Sequence, residues 1–170
     1  MSLEEMLDFW KDVRSGLIAE LEQIPSEQFG FQATPESRSI AGIIRHILNS
    51  QEFLISELCR PDTDFKRTPL RELAEKRAQE AHSDGNKEEL IESLRATLKS
   101  AEVDLRTFGE VALSETMPGQ NGKMTSKLGI LYMYITHEMY HRGQLTVYQR
   151  LLQIEPALTA KVKQFLATRE

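Results

Sequence analysis

"KLGILYMYITHEMYHRGQLTVYQRLLQ", Lys127 to Gln153, is the stretch whose periodicity decides the fold. At ~100° per residue and with His137 at zero, His141 falls at ~40°, Ile130 and Tyr148 at ~20°, and Tyr134 and Leu152 at ~60°. Met133 and Gln144 fall at ~−40° and ~−20° on the same wheel. An apolar and aromatic stripe that carries two histidines therefore runs the length of one helix, opened by Thr125 or Ser126 as N-cap.

Working outward, three more segments show the same period. Leu3, Met6, Leu7, Trp10, Val13, Leu17, Leu21 and Ile24 form the stripe of a first helix, with Glu4, Glu5, Lys11 and Arg14 between them and Pro25 as the stop. Ser39 caps a second, "IAGIIRHILNSQEFLISELC", which Pro61 closes. Asn86 caps a third, from Lys87 to about Val111, with Leu90, Leu94, Leu98, Ala101, Leu105 and Phe108 on one face. A shorter charged helix over 69–82, starting at Pro69, and a terminal helical segment after Pro156 are auxiliary. "PSEQFGFQATPESRS" and "SETMPGQNGKMT" read as loops, and no segment alternates with the period of a strand. The pattern predicts an all-α four-helix bundle, one domain over residues 1–170, with a long connection between the second and third helices.

The totals agree and exclude some functions. With 170 residues the chain is long enough for one core without covalent staples, and its single cysteine, Cys59, forbids an internal disulfide. A net charge of −5, from 26 acidic and 21 basic side chains, gives no electropositive field for nucleic acid. The first residues carry acids where a signal peptide carries bases, and no apolar run approaches the ~20 residues of a membrane span. The expected location is the cytoplasm.

Three of the four histidines fall on inward helix faces. His137 and His141, four apart, can present their rings to one ion ~2.0–2.1 Å away. On the second helix His46 shares its face with Ile43, Ser50, Phe53 and Leu54 and supplies a third nitrogen. A three-imidazole set leaves coordination positions open for water or substrate. The alternative is three hydrogen-bonded core histidines, but the coincidence of three inward histidines on two helices favours the metal. His82, beside the polar "SDGN", belongs to the surface.

"HEMYH" also matches HExxH, in which glutamate activates water on zinc. Here Gly143 comes one position too early for the metzincin continuation, no third histidine follows, and no strands are at hand to bind an extended peptide. Peptidase chemistry is not the expectation.

"SIAGIIRHILNSQEF" and "HEMYHRGQLTVYQRLL", with the chain length and helix order, resemble the DinB / YfiT-like superfamily over essentially the whole chain. The resemblance implies an up-down-down-up bundle, commonly a homodimer, that holds a divalent metal through His46, His137 and His141. It further implies a metal-dependent enzyme whose relatives include thiol-dependent transferases and isomerases as well as hydrolases.

On that footing zinc or nickel bound by three neutral imidazoles would lower the pKa of a bound water or deprotonate a bound thiol. A low-molecular-weight thiol attacking an electrophile is the preferred reaction, hydrolysis the alternative, and a metal-binding dimer without catalysis the third reading. Glu138, on the stripe's flank at ~100°, is a candidate proton acceptor or histidine-orienting group, or a surface residue paired with Arg142. Gln144 is the second candidate, able to donate to a metal-bound oxygen. Tyr134 and Tyr148 either touch substrate or pack in the core. On the opposite side Tyr132, Thr136, Met139, Gly143 and Thr146 form an uncharged strip, expected to meet a second copy of the chain or the auxiliary helices.

Overall fold

A computed structural model describes residues 1–67, 72, 75, 85–118 and 123–169. The four long helices are α1 (Leu3–Gln23), α2 (Ile40–Leu58), α3 (Lys87–Phe108) and α5 (Lys127–Leu151). Each begins where a short polar side chain accepts a main-chain hydrogen bond from the first turn. Ser39 Oγ accepts from Gly42 N at 2.9 Å, Asn86 Oδ1 from Glu89 N at 3.2 Å, and Ser126 Oγ from Gly129 N at 3.0 Å. At α1, Ser2 and Glu5 form a reciprocal capping box. The charged helix expected over 69–82, and His82 with it, lie outside the described residues.

Two local features differ from the sequence reading. The third helix ends at Phe108, because Gly109 takes φ +90° and turns the chain into a one-turn helix, α4 (Glu110–Leu113). Within the expected loop, β1 (Thr116–Pro118) pairs antiparallel with β2 (Met124–Ser126), Thr116 opposite Ser126. Arms of three residues are too short to display an alternation.

Side-chain pairs fix the helix directions. Trp10 and Arg14 meet Glu138, and Glu20 meets Arg142 and Gln149, so α1 and α5 run parallel. Glu22, Lys11 and Glu4 meet Arg95, Glu102 and Arg106, so α3 runs against α1. Tyr134 reaches Ile47 and Tyr148 reaches Arg38, so α2 runs against α5. The result is up-down-down-up, with α1 and α2 on one diagonal and α3 and α5 on the other.

Two apolar cores fill the bundle, one around Leu17, Leu21, Ile40, Ile44, Leu90 and Leu145, the other around Leu7, Trp10, Leu58, Leu105, Leu131 and Ile135. Between them lies a polar layer. Arg14, 1% exposed, pairs with Glu138, 0% exposed, and not with solvent as its place among the charges of α1 suggested. The same guanidinium donates to Leu94 O at 2.5 Å and to Gln51 Oε1 at 2.8 Å, while Gln51 Nε2 donates to Thr97 O at 2.7 Å. One layer thus joins all four long helices.

The terminal helix, α6 (Ala157–Ala167), is anchored by its first turn. The buried Glu20 carboxylate accepts from Ala157 N at 2.6 Å and Leu158 N at 3.2 Å, an acid at the positive end of a helix. Among the described residues no helix is long and apolar enough to cross a membrane.

Candidate metal centre

The inward face of α5 is broader than the stripe drawn from its sequence, because the helix sits in the corner between α1 and α2. Leu131, Ile135, Glu138 and Leu145 are buried along with Tyr134, His141 and Tyr148, whereas Met133 is 60% exposed. The two sides of this face have different jobs. Glu138 turns to α1; His137 and His141 turn to α2.

His46, His137 and His141 converge, with one nitrogen of each within 4.8 Å of the others. His137 Nε2 lies 3.2 Å from His46 Nε2 and 2.9 Å from His141 Nε2. Two nitrogens bound to one tetrahedral ion at ~2.0–2.1 Å would stand about 3.3 Å apart, so the spacing matches a shared cation. A hydrogen on His137 Nε2 can bridge to only one of its neighbours at a time, leaving the other pair of nitrogens facing each other. One cation satisfies all three.

Gln144 completes the arrangement around His141. Its Oε1, which can only accept, lies 2.7 Å from His141 Nδ1 and so holds the hydrogen there, leaving Nε2 as a lone-pair donor aimed at the cluster. Gln144 Nε2 donates in turn to Tyr140 Oη at 3.1 Å. Burial pushes the His141 pKa down from 6.5 to about 4, against the opposing pull of the Gln144 hydrogen bond and with help from the neighbouring His137 and Arg38 charges. A ring that stays neutral is the form a metal requires.

Glu138 is in neither the place nor the partnership expected of it. Its Oε2 accepts from Trp10 Nε1 and from Arg14 Nη2, both at 2.9 Å, and its Oε1 accepts from Arg14 Nε at 2.6 Å. Three donors occupy both oxygens, and Arg142 pairs with Glu20 instead, at 3.4 Å. Burial alone would depress Arg14, but the bonds and charge of Glu138 hold it above its ordinary value. Tyr134 and Tyr148 spend their hydroxyls on main chain, donating to Ile47 O at 2.9 Å and Arg38 O at 3.0 Å, and so pin α5 to α2. Burial, followed by the Glu138 charge, drives the Tyr134 hydroxyl well above its usual value, which keeps it a donor.

The sequence reading missed Arg14 and Gln51. The signal for Arg14 was present: it stands four residues after Trp10 and three before Leu17, inside the apolar stripe of α1. Cys59 is half-buried, and burial raises its thiol pKa.

Four helices in this order, with an open three-histidine cluster between two of them, define a class of bundle proteins. The sequence profile of the DinB superfamily matches residues 4–145, and the chain belongs to that family. Among solved structures it is similar to a mycothiol-dependent maleylpyruvate isomerase (19% identity, 85% of this chain and 61% of that one, TM-score 0.69). It is similar also to YfiT from Bacillus subtilis, described as a probable metal-dependent hydrolase with an unusual four-helix bundle topology (12% identity, 91% of each chain, TM-score 0.69). A DinB-like protein from Bacillus cereus matches at 16% identity over 91% of this chain and 95% of that one, TM-score 0.67. These likenesses show the fold; the chain spans 61% of the isomerase. No curated protein matches the chain significantly.

Proposed function

We propose that this protein is a metal-dependent enzyme in which His46, His137 and His141 hold zinc or nickel and a low-molecular-weight thiol is activated for attack on an electrophile. The observation that carries the reading is the convergence of three imidazole nitrogens with no carboxylate or thiol from the described residues beside them. Three neutral donors leave the ion its full charge and at least one open position. When bound, the ion would supply Lewis acidity that favours thiolate over thiol.

The protein's own contribution is positioning. Gln144 fixes the tautomer and plane of His141. Glu138 acts on His137 through the backbone they share, with its carboxylate locked by Arg14 and Trp10. The mycothiol dependence of one structural neighbour favours thiol transfer, and the description of YfiT favours hydrolysis as the second reading.

Protein purified without an affinity tag is expected to contain one zinc or nickel per chain by elemental analysis, and His141→Ala to contain none. Absence of stoichiometric metal from the wild type would leave only the bundle. Conjugation of a generic electrophile with glutathione, bacillithiol or mycothiol then tests transfer; turnover of an ester or amide with all three thiols inactive moves the assignment to hydrolysis.

The functional unit is proposed to be a homodimer. Tyr132 and Met139 are 44% and 45% exposed, and a Cβ on Gly143 would meet nothing within 4 Å among the described residues. A second copy of the chain is the occupant proposed for this uncharged strip, in preference to the auxiliary helices.

A further inference from the structure

Of the three rings in the cluster, His46 and His141 are buried and His137 is half-buried, so solvent meets the cluster at His137. On a helix the neighbours of a side chain stand three and four positions away, ~5–6 Å between Cβ atoms. For His137 these are Met133 and Tyr134 on one side, Tyr140 and His141 on the other. Tyr134 is buried, with its hydroxyl on Ile47 O. The exposed neighbours are therefore Met133 and Tyr140, a thioether and a phenol with no acid, lysine or arginine between them.

Tyr140 is also tied to the cluster by direct contact. Its ring stands edge-on to that of His141, with centroids 5.2 Å apart and planes at 72°. Its Oη accepts from Gln144 Nε2 at 3.1 Å, the amide whose Oε1 orients His141. A tyrosine exposed on its own is ordinary; this one touches two residues of the site and is still 63% exposed. An aromatic ring already held in one orientation can receive another ring without a further ordering cost.

We propose that Tyr140 is a specificity-determining residue of the metal site, whose ring receives an uncharged aromatic group on the molecule that reaches the metal. The proposal rests on the metal reading above and narrows its substrate class: thiols, or esters and amides, with an aromatic body over small hydrophilic ones.

Cobalt-loaded protein provides a test by its visible absorption, without any turnover. Benzyl mercaptan and 2-phenylethanethiol are titrated against 2-mercaptoethanol, and 4-phenylimidazole against imidazole. At least one aromatic thiol is expected to bind about tenfold more tightly than 2-mercaptoethanol, a difference of ~1.4 kcal/mol. Tyr140→Gln keeps a polar group for Gln144 and removes the ring, and there the preference should fall about fivefold. Tyr140→Phe keeps the ring and removes the oxygen, and should hold the preference within about twofold of the wild type. Because the preference is a ratio of two affinities for one cobalt site, a general loosening of the metal through Gln144 does not imitate it.

No aromatic preference in the wild type, one that persists undiminished in Tyr140→Gln, or one lost equally in Tyr140→Phe overturns the proposal. If no thiol perturbs the spectrum, the thiol reading fails while Tyr140 is still judged by the imidazoles. A preference for 4-phenylimidazole that Tyr140→Gln removes then upholds the assignment, and no such preference overturns it. Failure to take up cobalt at all overturns both. Circular dichroism checks the fold of each variant, and Tyr140→Leu, with bulk kept and the ring lost, decides the matter should Tyr140→Gln not fold.

Discussion

Gln144 is the residue on which the quality of the histidine cluster turns. Replacing it with leucine removes the acceptor of His141 Nδ1–H while keeping bulk, so the ring is free to rotate and to move its hydrogen to Nε2. Metal affinity is expected to fall about 10–100-fold in Gln144→Leu, measured by competition with a chromophoric chelator, with an unchanged helical spectrum.

His141 itself carries a pH signature in the metal-free protein. The unfolded chain takes up this proton near 6.5 and the folded chain only near 4, so between those values the unfolded state binds more protons. The contribution of this residue to stability is complete above 6.5 and is lost as pH falls toward 4. Unfolding free energies from urea denaturation at pH 7 and pH 4.5 should therefore differ more in wild type than in His141→Leu, by on the order of 1–3 kcal/mol, which separates this ring from the carboxylates titrating in the same range.

Between elements, the Arg14–Glu138 pair is the joint of α1 and α5. Arg14→Met or Glu138→Leu alone leaves one buried charge uncompensated and is expected to cost ~3–5 kcal/mol in urea denaturation. The double variant should cost about 1–2 kcal/mol, because two apolar side chains then meet and the partners that lose bonds, Trp10, Gln51 and the Leu94 carbonyl, are uncharged. Additive losses would mean that the pair does not act as a unit.

At this scale it is also plain what the sequence made legible. Ser39, Asn86 and Ser126 mark helix starts because capping is a contest between a side chain and its own next turn, decided within four residues. The histidine pair was legible for the same reason, a spacing on one helix, and His46 because its face is apolar. The partnership of Arg14 with Glu138 was not, since 124 residues separate the two and the place of Arg14 inside the apolar stripe of α1 marks its burial but not its partner. The β1–β2 hairpin left no trace in its three-residue arms.

Assembly and helix register are properties of the whole molecule. Sedimentation of the wild type is expected to give a dimer at micromolar concentration, and Met139→Glu, which puts a charge in the centre of the uncharged strip, a monomer of unchanged helicity. A wild-type monomer would remove the dimer.

The sandwich of a polar layer between two hydrocarbon zones has a mechanical corollary. Slipping any long helix along its neighbours by one turn, ~5.4 Å, would push a guanidinium, a carboxylate or an amide into aliphatic surroundings, so the layer works as a detent against sliding. Gln51 lies five positions from His46, and Glu138 is adjacent to His137. The same detent that stops α2 and α5 from sliding therefore keeps their imidazoles at matching heights, and a chain lacking it would be expected to keep its helices yet lose the alignment on which ion capture depends.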